Sequence, residues 1–134
     1  MTMNLITISH LLFSGMVVGL IFFQTALSAP IIFKYLSKDQ SSIYIRKIFP
    51  KLFIVISIIG ALCIAIDLLD NMLFQKALIA SVATFILPII CYLIVPATNK
   101  ATDSGNKVKF KRLHTLSVLL IVVVFFTNIF WPFI

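Results

Sequence analysis

Residues 48–69 read IFPKLFIVISIIGALCIAIDLL, with Lys51 and Asp67 as the only charges, one near each end. That is the length a helix needs to cross the hydrocarbon of a bilayer, about 20 residues. Pro50 falls in the first turn, where a missing N–H costs little. Three similar runs flank it. One covers about 5–35, longer than a bilayer requires, and Pro30 is expected to bend it near Ala26. Another covers about 73–95 and is expected to stop at Pro96, and the last covers about 113–133. Between them, 37–47 and 97–112 read as polar loops and Asp70-Asn71 as a tight turn; Asp103-Ser104-Gly105-Asn106 is the turn signal of the longer loop. The expected fold is all-α: a polytopic membrane protein built as an antiparallel up-down four-helix transmembrane bundle, in a single domain over 1–134.

Composition leads to the same class. The chain has 134 residues, 61% hydrophobic and 11% charged. Soluble domains are roughly half apolar and a quarter charged, and one this greasy would have to expose much of its apolar surface. The net charge of +7 does not point to nucleic acid, because the basic residues sit between apolar runs without any RNA-binding motif, zinc-finger spacing or long basic arm. Cys63 and Cys91 stand alone inside apolar runs near opposite helix ends and read as packing residues. Leu27-Ser28-Ala29 resembles a signal-peptide cleavage site, but no Lys or Arg precedes it and Pro30 would follow the cut, so a retained helix is expected.

Four spans place both termini on one side. That side carries Asp67, Asp70 and Lys76, whereas the other ten Lys and Arg residues lie on the opposite side with Asp39 and Asp103. The positive-inside rule then puts the basic side in the cytoplasm and both termini outside, in what is expected to be a bacterial cytoplasmic (inner) membrane. The basic face is suited to anionic lipids. Phe130, Trp131 and Phe133 read as an aromatic belt at the outer interface. Gly15 and Gly19 form a GxxxG pair, a packing seam for another helix of the bundle or for another copy. A homo-oligomer, or a subunit of a membrane complex, is the expected assembly.

Polar groups in a membrane are costly and each asks for a reason. At the outer end, His10, Asp67, Lys76 and Asn128 come from four different helices at similar depth and form a candidate cofactor-binding group. Imidazole is a common heme and metal ligand, so His10 is also the candidate metal ligand. The structural alternative has Lys76 snorkelling, Asp67 capping a loop and His10 bonding a carbonyl. At mid-depth, Gln24, Thr25, Ser57, Ser81 and Thr84 read as interhelical glue, with Gln24 able to bridge two helices. At the inner end, Asn99, Arg112 and His114 form a polar cluster in which Asn99 and His114 are placed to close a loop by a hydrogen bond. His10 and His114 cannot share one iron within a subunit, since the spans hold them roughly 20–30 Å apart. There is no HExxH, GxSxG or P-loop spacing and no Glu anywhere.

Two resemblances follow from particular residues. Pro96-Ala97-Thr98-Asn99-Lys100-Ala101, Phe110-Lys111-Arg112-Leu113-His114-Thr115-Leu116-Ser117 and Ala29-Pro30 with Phe33 resemble the transmembrane protein 205 family. That resemblance implies a four-helix membrane fold of poorly defined activity, whose eukaryotic namesake is linked to platinum-drug resistance. His10 near the start of the first helix and Lys76 opening the third are more distantly similar to HemJ-type protoporphyrinogen oxidases and the membrane domain of CopD. The HemJ likeness implies heme b at His10. The chain departs from HemJ in lacking the Trp before the lysine and in reading Leu-His-Thr-Leu where HemJ has Asn-Glu-x-Pro. The functional expectation is a binding or accessory module with a His10-centred cofactor site. The alternatives are a HemJ-like heme-dependent redox enzyme and an oligomeric small-solute or metal transporter.

Overall fold

A computed structural model describes residues 4–134, apart from the side chains of residues 72–74. The secondary structure of the described residues is all helical, without strands, and it forms four helical stretches long and apolar enough to cross a membrane. The first span is α1 (Leu5–Phe22), a π-helical segment (Phe23–Ser28) and α2 (Ala29–Tyr35). The others are α3 (Lys38–Asp67), α4 (Asn71–Asp103) and α5 (Lys107–Phe130), the last followed by a 3-10 turn (Trp131–Phe133). The chain is thus an integral membrane protein.

The widened turn covers Ala26, where a Pro30 N–H would otherwise have bonded. Ala29 N–H reaches back to the Gln24 carbonyl, and Thr25 Oγ1 donates to the Ile21 carbonyl at 2.8 Å. Lost backbone bonds in lipid are re-satisfied locally in this way.

The helices run further than hydropathy indicates. The expected loop 37–47 is the first part of α3. Ser37 and Gln40 form a reciprocal capping box that starts the helix, and Lys, Gln and Arg are good helix formers. Pro50 accordingly lies inside α3 and not in its first turn. Pro96 does not end α4, which continues to Asp103, with Thr98 Oγ1 donating to the Ile94 carbonyl at 3.1 Å. The expected loop 97–112 shrinks to Ser104–Asn106. Gly105, at φ +68, makes the left-handed exit; the Asn106 and Gly105 N–H groups return to the Ala101 and Thr102 carbonyls. Asn106 then caps α5, its side chain accepting from Lys109 N–H at 3.0 Å.

α3 packs along α4 and α4 along α5, while α1 touches both α3 and α5. The main core joins Val17, Ile21, Ile56, Ile59, Cys63 and Val124. At Gly60 the backbones of α3 and α4 come so close that an added Cβ would clash with the backbone of Thr84 and Phe85. Gly15 and Gly19 differ: both are exposed, with open space where a side chain would be, so their seam faces away from the bundle. A smaller core at the end holding both termini joins Ala77, Ala80 and Trp131.

Candidate functional site

The site lies at this terminal end and draws one or two side chains from each span. α1 supplies His10 and Ser14, one turn apart on one face. α3 supplies Asp67, its last residue; α4 supplies Ser81; and the 3-10 turn after α5 supplies Trp131. All five are buried, with Asp67 at 0% and His10 and Ser81 at 1% exposure.

His10 Nε2 lies 3.0 Å from Ser81 Oγ and 3.1 Å from Asp67 Oδ1. Ser81 Oγ donates to Asp67 Oδ2 at 2.5 Å. On the other side of the ring, Ser14 Oγ is 3.5 Å from Nδ1 and accepts from Trp131 Nε1–H at 2.9 Å. The indole stands edge-on to the imidazole, centroids 4.5 Å apart at 78°.

The donor inventory orders these protons. The single Ser81 hydroxyl hydrogen is used on Asp67, so the proton between Ser81 and His10 belongs to Nε2. In a neutral ring Nδ1 would carry the lone pair, with the Ser14 hydroxyl as its nearest donor at 3.5 Å. The chain therefore runs from Trp131 to Ser14 to His10 to Ser81 to Asp67 and ends on a carboxylate. Asp67 Oδ1 receives no hydrogen bond, and its approach to Nε2 is an electrostatic contact.

Ser, His and Asp together suggest a nucleophilic triad, but the wiring differs. In a triad the serine and the carboxylate hold opposite ring nitrogens. Here Ser81 and Asp67 share Nε2, and Ser81 gives its proton to the carboxylate. Ser14 is on the correct opposite nitrogen, but it is 2% exposed and its oxygen accepts from Trp131. Metal or heme ligation at His10 would require a ring nitrogen lone pair facing open volume. Nε2 is committed to Ser81 and Asp67, and Nδ1 faces Ser14 under the indole. The arrangement does not fit heme b or a metal ion without displacing these partners. Among the described residues, no three His, Cys, Asp or Glu side chains converge as a metal site.

Of the four residues expected at this end, the structure joins His10 and Asp67. Asn128 is buried one layer away, donating to Thr84 Oγ1 at 2.6 Å and to the Val124 carbonyl at 2.8 Å. Thr84 in turn donates to the Ala80 carbonyl at 2.7 Å. Lys76 is exposed and outside the cluster. Ser14, Ser81 and Trp131 are additions to this end: Ser14 had no part in the sequence expectation, although its four-residue spacing from His10 is a signal that could have marked it; Ser81 was expected at mid-depth; and Trp131 is a buried hydrogen-bond donor and not part of a lipid-facing belt.

Of the mid-depth residues, Ser81 and Thr84 do join helices, through Asp67 and Asn128, whereas among the described residues the buried Gln24 Nε2 and Ser57 Oγ have no hydrogen-bond partner. The inner group does not come together. At the basic end, Arg112 and His114 are exposed and Asn99 is half-buried. His114 stacks on Phe110, rings 5.5 Å apart at 8°, and among the described residues no hydrogen bond joins it to Asn99. Cys63 and Cys91 are buried free thiols.

The model of one family, described as a domain of unknown function (DUF4149), matches residues 12–107. Ser14, Asp67 and Ser81 lie within that stretch, and His10, Asn128 and Trp131 outside it. No curated protein matches the chain. No solved structure matches it.

Proposed function

The chain belongs to the DUF4149 family, which carries no assigned activity, and we propose that it is a non-catalytic accessory module of the bacterial cytoplasmic membrane. In this reading the His10 cluster is a clasp that fixes the outer ends of all four spans. The observation that carries it is that each ring nitrogen of His10 faces a protein side chain, with the ring itself buried. Buried polar groups of this kind are best attested as devices that fix one arrangement among several apolar ones. Helices that are apolar all round gain little register from lipid, so one cross-helix polar knot supplies it.

The accessory role draws on Gly15 and Gly19, whose open face on α1 suits close approach by a helix of a partner subunit or a second copy. The orientation, with both termini outside, rests on the basic end lying in the cytoplasm.

The HemJ likeness implies a different reading, with heme b on His10, and a transporter would need a polar route of which Gln24 is the mid-membrane candidate. One absorption spectrum of the purified protein separates the clasp from the heme. The clasp predicts colourless protein that takes up no heme. A Soret band that disappears in His10→Ala would replace the clasp with a cofactor site.

A further inference from the structure

Asp67 is the one carboxylate among the described residues that is buried, at 0% exposure. A charge held inside a bundle is tolerated when an opposite charge accompanies it, and is very costly alone. The groups that face Asp67 from each packed element offer a single candidate. α1 brings His10 and Ser14, and α4 brings Ser81. α3 itself adds the buried Cys63 thiol one turn earlier, which is uncharged near neutral pH. α5 and the turn after it add Asn128 and Trp131, neither of them ionisable. Lys76 is exposed and outside the cluster, and Asp70, in the turn beyond, accepts from the Asn4 amide at 2.8 Å. Only His10 can supply the counter-charge.

Its position suits that task. Nε2 lies 3.1 Å from Asp67 Oδ1, the carboxylate oxygen that receives no hydrogen bond, while Ser81 donates to Oδ2 at 2.5 Å. A second ring proton, on Nδ1, would face Ser14 Oγ at 3.5 Å. An imidazolium beside a carboxylate makes the cluster neutral. Taking away its one dissociable proton strands a buried negative charge.

We propose that the clasp is pH-sensitive: one proton shared between His10 and Asp67 locks it, and loss of that proton to the water on the terminal side loosens it. Exposed Leu68 and Leu69 directly follow Asp67, so the cluster exchanges with this side. α1 is the helix set free. Among the described residues, His10 and Ser14 are its only side chains that hydrogen-bond to another span. This regulation rests on the clasp reading and adds to it a condition under which the clasp lets go.

In the unfolded chain a histidine gives up its proton near about pH 6.5 and an aspartic acid near about pH 4. Just below about pH 6.5 the folded and unfolded chains both carry the proton, and stability has its full value. Above it the folded cluster binds one proton more than the unfolded chain. Stability therefore falls as pH rises, by about tenfold in the folding equilibrium constant per pH unit.

Reversible unfolding of the whole chain in mixed micelles, followed from about pH 7 to about pH 8, reads this slope. The parent protein is expected to lose about tenfold over that unit. Asp67→Asn keeps the shape and an acceptor for Ser81 but removes the charge, and should reduce the loss to less than about twofold. His114→Gln removes the exposed histidine of the basic end and should keep the parent slope. A flat parent profile would overturn the shared proton, as would a slope that disappears in His114→Gln or persists in Asp67→Asn. The parent and His114→Gln profiles decide the matter even where Asp67→Asn does not fold. A flat profile together with non-additive losses in His10→Ala and Asp67→Ala would overturn the pH sensitivity alone, whereas additive losses would overturn the clasp with it.

Discussion

The two ends of the bundle use polar residues in opposite ways. The basic end holds most of the charges, yet all but the half-buried Arg46 are exposed, and its one ion pair among the described residues, Arg46–Asp103, is solvent-accessible. The terminal end has few polar groups, but His10, Asp67 and Ser81 are almost wholly buried and bond across helices. The number of charges therefore says little about where a membrane protein is locked together. Depth and the number of helices contributing say more. A charge in water or among headgroups has partners everywhere, whereas a polar group inside the bundle has only those that the fold brings to it.

Removing the imidazole should break this contrast most severely. In His10→Ala, buried Asp67 loses its contact with Nε2 and Ser81 loses the ring N–H it accepts from, and stranding buried groups of this kind costs about 2–3 kcal/mol. Reversible unfolding in mixed micelles would measure it, and a loss below about 1 kcal/mol would place the terminal end on a par with an ordinary hydrogen bond. Trp131→Phe keeps an aromatic ring but deletes the N–H that Ser14 accepts together with part of the buried indole, so the same assay should show a loss of about 1–3 kcal/mol. Parent-like stability would return Trp131 to the lipid-facing belt that its position at a helix end suggests. Arg46→Gln at the basic end should leave the unfolding midpoint unchanged within error, because exposed pairs are screened by water and salt. A clear shift there would erase the difference between the ends.

Much of the fold was legible in the hydropathy of the chain. The four apolar runs are the four spans, and the widened turn over Ala26 lies where Pro30 removes a hydrogen bond. The helix ends were not legible, because residues 38–47 and 107–112 are polar yet good helix formers. Their starts are set by caps at Ser37 and Asn106 rather than by where the apolar run begins. Pro96 misled for a related reason: at the end of a packed span it interrupts one bond without stopping the helix.

The site was half legible. Depth alone places His10 and Asp67 at one end, whereas Ser14 went unread because spacing from His10 does not tell whether the shared face turns inward. Ser81 and Trp131 depend on how α4 and the end of α5 rotate. Helices apolar on every side carry no stripe that tells which face turns inward. The same ambiguity explains Lys76, which shares a helix and an end with the cluster but faces outward, and Gly15 and Gly19, which have the seam spacing but face away from the bundle.

The claim that His10 and Asp67 act as one unit can be tested by a double-mutant cycle of His10→Ala and Asp67→Ala, read by unfolding in mixed micelles. A shared clasp predicts that the double variant is less destabilised than the two single losses combined, by about 2 kcal/mol, because each single change strands the other partner and the double change strands neither. Strict additivity of the two losses would contradict it and leave the terminal end as four helices that merely happen to place polar groups near one another.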